Sequence, residues 1–344
     1  MCVAVRSSVY IYIFFWGSLS LGFSQKPQVW IYTDMSDKEI PGNNHMQTLN
    51  DPDDISAMAG YLLMANMFDT QGIVVASTHR EEHKDTPNQA EWANQVLSTA
   101  YRKDVVNLNK WIGGFPDSIL FMESCIKESS EWFQADQSYQ SLDSYDTVKA
   151  LFDLVDQNQE ELFVLCWGSL TEPAILVKHC IEKGRQDLLS YLRFVAHWTN
   201  SSLHQGSIEH PEDVANCRED AEACKFLKEA ALNGHITYYE CGAIGQHGIV
   251  SGAPVGAEFY EQFKTSNLGK IFAEGKFVRG HVDHSDAATY WTLLGDWGLS
   301  LADLASNGRN YPEVERENEE VYTKWSFRIH NELLRRSKMA ARND

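Results

Sequence analysis

Short apolar runs alternate along this chain with longer stretches of helical period, and that alternation leaves few architectures open. Apolar, β-branched or aromatic runs stand at Val29 to Thr33, Gly72 to Ser77, Leu162 to Trp167, Leu192 to Trp198 and His235 to Glu240. Helical patterns run over Asp53 to Met67, Asn88 to Tyr101, Thr171 to Lys183, Glu219 to Leu232 and Asp286 to Leu294. Strands separated by helices join as crossovers rather than hairpins, so the spacing predicts an α/β fold: a Rossmann-like, mostly parallel sheet flanked by helices. No Pro/Gly/Ser-rich linker or shift in composition divides residues 25–344, which read as one domain.

The start of the chain reads differently. Arg6, the apolar stretch Val9 to Leu21 and the small-residue exit Gly22-Phe23-Ser24 have the pattern of a cleaved secretory signal over residues 1–24. Its apolar core falls short of the roughly 20 residues a spanning helix needs. The expected location is secreted or periplasmic, with no membrane association after cleavage. Cys2 would leave with the signal. Of the cysteines that remain, Cys217 and Cys224 are nearest in sequence and the best candidates for a single disulfide; none has the CxxC spacing of a zinc site.

A formal net charge of −19 makes nucleic acid and anionic membranes poor partners. A small neutral sugar or nucleoside, or a cation, suits the field better, and a homo-oligomer is left open. The basic tail from Arg335 to Arg342 reads as a solvated end.

Asp34 closes the first strand and Asn50-Asp51-Pro52-Asp53-Asp54 opens the first helix, so up to four carboxylates gather where an open parallel sheet places its ligand crevice. Asp53 or Asp54 would serve a helix N-terminus as a cap. The whole group together needs a cation, and a hard oxygen-seeking ion such as Ca²⁺ fits carboxylates best. The polar insert Lys38 to Leu49 reads as a loop at the crevice mouth, and Ala135 to Asp146 as an exposed loop. His79, His83, His204, His210 and His247 read as loop residues rather than ligands, and Trp291 as core.

Three later segments complete a pattern. They are Gly168-Ser169-Leu170-Thr171-Glu172-Pro173-Ala174 after a strand, Asn216 followed by Asp220-Ala221-Glu222-Ala223, and Ser285-Asp286 opening a helix. In this order they resemble the nucleoside hydrolase superfamily, and the Asp-Pro-Asp-Asp and Trp-Gly variants resemble a secreted branch sometimes labelled cellulose-binding. The resemblance implies a Ca²⁺ held by Asp34, Asp54, Asp286 and the Trp167 carbonyl. Asp34 would be the base that takes a proton from water; Asp51 is the alternative first ligand. Asp53 and Asn216 would bind substrate, and His284, or His281, would protonate the leaving group; Trp198 is a further substrate-binding candidate from its place at a strand end. His197-Trp198 ends a strand on the same face.

The implied activity is calcium-dependent hydrolysis of a glycosyl bond, most simply the N-ribosyl bond of a nucleoside. Two departures temper it: the compact aspartate loop is replaced by the long insert, and Ser285 stands where the superfamily has its late histidine. An extracellular O-glycoside hydrolase, or a carbohydrate-binding protein without catalysis, are the alternatives the same residues allow.

Overall fold

A computed structural model describes residues 26–76, 86–127, 131–218 and 220–342. The signal expected over 1–24, His79 and His83 lie outside the described residues, as do Ser77 and Glu219 at the ends of two expected elements.

The first half of the chain comprises β1 (Gln28–Tyr32), α1 (Asp53–Leu63), β2 (Asp69–Val75), α2 (Gln89–Ala93), α3 (Thr99–Trp111), β3 (Met122–Glu123) and α4 (Asp146–Asn158). A π-helical turn at Asn94–Ser98 joins α2 to α3. Next come β4 (Leu162–Cys166), α5 (Thr171–Glu182), α6 (Gln186–Leu189), β5 (Leu192–Ala196), α7 (Ala221–Leu232) and β6 (Thr237–Glu240). The remainder holds α8 (Ala257–Glu261), α9 (Asn267–Glu274), the hairpin β7 (Phe277–Val278) and β8 (His281–Val282), α10 (Ala288–Leu294) and α11 (Pro312–Ala340).

The first six strands form one sheet in the order β3-β2-β1-β4-β5-β6, and every pairing in it is parallel. Strand side chains alternate between faces, and β1 shows the result. Val29 and Ile31 pack into one apolar layer with Met58, Leu62 and Ile329, while Trp30 and Tyr32 pack into the other with Leu151, Leu176 and Leu227. The sheet is therefore covered on both sides, by α1, α3, α9, α10 and α11 on one face and by α4, α5 and α7 on the other. Both layers exclude water, which is why the strands are near-continuous apolar runs.

Several expectations need correction. Neither Asp53 nor Asp54 caps α1: the N-cap is Pro52, and both aspartates lie inside the first turn, where they face the helix dipole rather than close it. The tail is not a solvated end. Arg335 and Arg336 belong to α11, and Arg336 is 5% exposed; its guanidinium donates to the Leu63 carbonyl at 3.0 Å and to Asn66 Oδ1 at 2.6 Å, filling acceptors at the C-terminus of α1. Within the expected loop at 135–146, Tyr139 is buried and stacks on Phe133.

Candidate functional site

The order of the sheet decides where a crevice opens. The chain runs outward from β1 through β2 to β3, then returns to lay β4 beside β1 and runs outward the other way. Loops leaving β1 and β4 therefore diverge, and a crevice remains beyond their carboxyl ends. Asp34 follows β1, Trp167 follows β4, and His197 and Trp198 follow β5; all four line a cavity of about 790 Å³. Its floor is held by the ladder continuing past the strands, with Trp167 N donating to the Tyr32 carbonyl at 2.8 Å and His197 N to the Cys166 carbonyl at 2.9 Å.

Carboxylates crowd this floor. One oxygen each from Asp53, Asp54 and Asp286 lies within 4.8 Å of the others. Asp34 is in side-chain hydrogen-bond contact with Asp54, and Thr33 Oγ1 also donates to Asp54 Oδ1. Burial, then the charges of Asp286, Asp34 and Asp53, pushes the Asp54 carboxyl well above its ordinary range. Burial, then Asp53 and Asp34, does the same to Asp286, whose Oδ2 is buried without a hydrogen-bond partner. An all-oxygen donor set of this kind fits a hard cation. Two oxygens that each approach one calcium ion to about 2.3–2.6 Å are at most about 5.2 Å apart, a limit the cluster meets.

Sequence reading missed a lysine at the edge of this group. Lys276 Nζ lies 2.7 Å from Asp51, 2.9 Å from Asp283 and 3.6 Å from Asp53. Against the opposing effect of burial, Lys276 and His197 hold Asp53 below the usual carboxylate range, whereas burial and the Asp53 charge push Asp51 up to about 8. The hairpin turn at Arg279-Gly280, where both residues have positive φ, closes β7 onto β8 and sets Lys276 opposite Asp283.

The insert at 38–49 folds on itself. Pro41 bridges Thr48, Leu49 N donates to the Ile40 carbonyl at 2.9 Å, and the Asn44 carboxamide oxygen accepts from Met46 N and Thr48 N. It presents Asn43, Asn44 and His45 to the cavity mouth, where His45 Nε2 stands 3.5 Å from Asp51 Oδ2.

The other expected residues divide. Asn216 lines the cavity, and its amide donates to the Trp167 carbonyl at 3.0 Å and to the His197 carbonyl at 2.9 Å, so it ties two strand ends together. Trp198 adopts φ +49°, a conformation unusual for a tryptophan and typical of functional sites. His197 is buried, and burial lowers its pKa to about 4; its Nε2 is 3.8 Å from Asp286 Oδ1. His284 departs from expectation. It is fully buried and does not line the cavity; its Nε2 meets His330 Nε2 at 3.0 Å and its ring packs on Phe272. The short helical turn Ser285–Ala287 aims Asp286 and Ser285 inward and leaves His284 facing the core, so a proton-donor role has no route to the crevice. His281, in β8, does not line the cavity either. Cys217 and Cys224 form a disulfide just beside Asn216.

The parallel sheet, its strand order and its helical layers form a nucleoside hydrolase-like α/β fold. More narrowly, residues 46–198 match the family described as cellulose-binding Sde182, nucleoside hydrolase-like domain, a span that includes Asp53, Asp54, Trp167 and Trp198. A nucleoside hydrolase-related hypothetical protein from Saccharophagus degradans, associated with carbohydrate metabolism, superposes with a TM-score of 0.60 at 18% identity, over 93% of this chain and 73% of its own. A purine-preferring ribonucleoside hydrolase from Gardnerella vaginalis gives 0.47 at 12% identity, over 91% and 99%. The inosine-uridine preferring nucleoside hydrolase from Bacillus anthracis gives 0.43 at 13%, over 87% and 99%. At such identities the likeness is one of fold. No curated protein matches the sequence.

Proposed function

We propose that this protein hydrolyses glycosyl bonds of a small nucleoside or sugar substrate at a calcium site formed by Asp34, Asp53, Asp54, Asp286 and the Trp167 carbonyl. The observation that carries the reading is the meeting of three carboxylate oxygens within 4.8 Å at the floor of a crevice, with one buried oxygen left unpartnered. Such a set is costly without a cation.

The chemistry the ion supplies when bound is Lewis-acid polarisation of a water and of vicinal sugar hydroxyls. The protein's own groups do the rest. Asp34, on the cavity wall after β1, takes the proton of the attacking water. Asp53, kept ionised by Lys276, accepts a sugar hydroxyl. Asn216 holds the Trp167 and His197 carbonyls in place, which keeps the crevice floor rigid while charge develops at the anomeric carbon. With His284 in the core, His45 on the insert is the group we assign to protonation of the leaving group, from the mouth of the cavity.

A second reading has its own support. The burial of His284 removes the expected acid, and a protein that binds carbohydrate without cleaving it needs none. The Cys217–Cys224 bond suits a secreted or periplasmic location for either reading. Among the described residues no helix is long and apolar enough to cross a membrane.

Release of reducing sugar from mixed nucleosides and from soluble glycans, each with calcium and with a chelator, separates these readings. Chelator-sensitive release from nucleosides supports N-ribosyl hydrolysis, and release from glycans alone moves the site to O-glycosides. Calcium binding and glycan affinity without any product favours the binding protein.

A further inference from the structure

The mechanism above uses Lys276 only to keep Asp53 charged, yet the structure invests more in this residue. Its side chain is 7% exposed and its Nζ is surrounded by Asp51 at 2.7 Å, Asp283 at 2.9 Å and Asp53 at 3.6 Å. These carboxylates come from three separate places: the end of the insert, the first turn of α1 and the strand end after β8. The lysine backbone is fixed from both sides, since its N–H donates to Ser56 Oγ on α1 at 3.1 Å and its carbonyl accepts from Asp283 N at 2.9 Å.

Asp53 belongs to two groups at once. It is one corner of the lysine cage and one corner of the cluster with Asp54 and Asp286. An ammonium and a divalent cation can therefore stand side by side, sharing Asp53 between them. A protonated lysine has no lone pair to offer a metal, so its influence is positional and electrostatic.

We infer that Lys276 is a resident cation: it positions Asp53 for the candidate metal and fills the place a second ion would otherwise take, so that the site binds one divalent cation rather than two. The inference rests on the calcium reading of the cluster. Three carboxylates around one point repel strongly unless a positive charge stands among them, and a charge carried on the chain is present at any calcium concentration. Replacing it by an apolar side chain leaves the same cage with no counter-charge, which turns it into a second oxygen-lined cation site.

The test is calorimetric titration of the purified chain with calcium chloride, comparing the wild type with Lys276→Arg, Lys276→Met and Asp283→Asn. The wild type and Lys276→Arg are expected to bind one ion with affinities within about threefold of each other, and Lys276→Met to bind two. Asp283→Asn keeps one ion but weakens it about fivefold or more, because the ammonium released from Asp283 closes on Asp53 and competes for it. A Lys276→Met chain that binds a single ion at wild-type affinity overturns the inference, and so does an Asp283→Asn chain with unchanged affinity. If Lys276→Met fails to fold, Asp283→Asn decides alone. A wild type that binds no calcium removes the metal reading itself; one ion in the wild type with indifferent variants removes only the role given to Lys276.

Discussion

The Asn216 carboxamide donates to the Trp167 carbonyl oxygen at 3.0 Å, which puts a residue of the loop before α7 in charge of the backbone at the end of β4. The same amide reaches the His197 carbonyl at 2.9 Å, so its removal frees two acceptors at once. Each such bond contributes about 1 kcal/mol. Asn216→Ala should therefore lower stability by about 2 kcal/mol and weaken calcium binding as well as turnover, as measured by denaturant unfolding and calorimetry. A variant with wild-type stability that only raises KM would instead mark Asn216 as a simple sugar ligand.

Asp54 sets function against stability. Its carboxyl is buried among Asp34, Asp53 and Asp286, so Asp54→Asn relieves repulsion in the ion-free protein. In chelator the variant should unfold at a higher temperature than the wild type. At a calcium concentration about a hundred times Kd the order reverses, since the wild type gains about 2.7 kcal/mol that the variant cannot. Equal responses of the two proteins to calcium would remove Asp54 from the ligand set.

Protons and calcium compete for the same oxygens. Burial, then neighbouring charge, raises the carboxyls of Asp54 and Asp286 and takes Asp51 to about 8. The ion-free native protein thus keeps protons that the unfolded chain has already lost above about pH 4. Its stability falls as pH rises from about 4 towards 8, and calcium affinity climbs over the same range because each bound ion must displace protons. Titration in buffers of different ionisation enthalpy should register this proton release, and a pH-independent affinity would contradict it.

The two histidines near the site should behave in opposite ways. His45→Ala is expected to lower kcat about a hundredfold with little change in KM, the usual cost of losing a general acid. His284→Gln breaks a buried contact with His330 and should cost about 1–3 kcal/mol of stability while leaving kcat within about threefold. The reverse pattern would return the acid to His284 and require that ring to turn out of the core.

Reduction of the Cys217–Cys224 bond loosens the loop that carries Asn216. Replacing both by serine should cost about 2 kcal/mol or more and weaken substrate binding along with it. Unfolding midpoints unaffected by a reductant would mean that the bond does not form in solution.

The sheet was legible because its strands are buried on both faces and therefore read as unbroken apolar runs, and Asp34, Trp167 and Trp198 were legible because each stands where such a run stops. Side-chain direction was not. Whether His284 or Ser285 faces the crevice depends on the first turn of a short helix, and no apolar period fixes that turn. Helix α11 was not read because its buried face mixes an apolar stripe, Tyr322, Ile329, Leu333, Leu334 and Ala340, with buried polar residues such as Glu315, Asn318, His330 and Arg336 that break up the apolar period. Lys276 was hidden because its partners come from three distant segments, a proximity that only the folded sheet and hairpin create.

Arg336 closes onto the Leu63 carbonyl across 273 residues of chain, and Leu63 ends the helix whose first turn carries Asp53 and Asp54. The helix that carries Asp53 and Asp54 is thus completed by a side chain from a distant part of the chain. Contacts of such separation form late and slowly. The C-terminus of the helix that carries Asp53 and Asp54 is therefore satisfied only when α11 is docked against it.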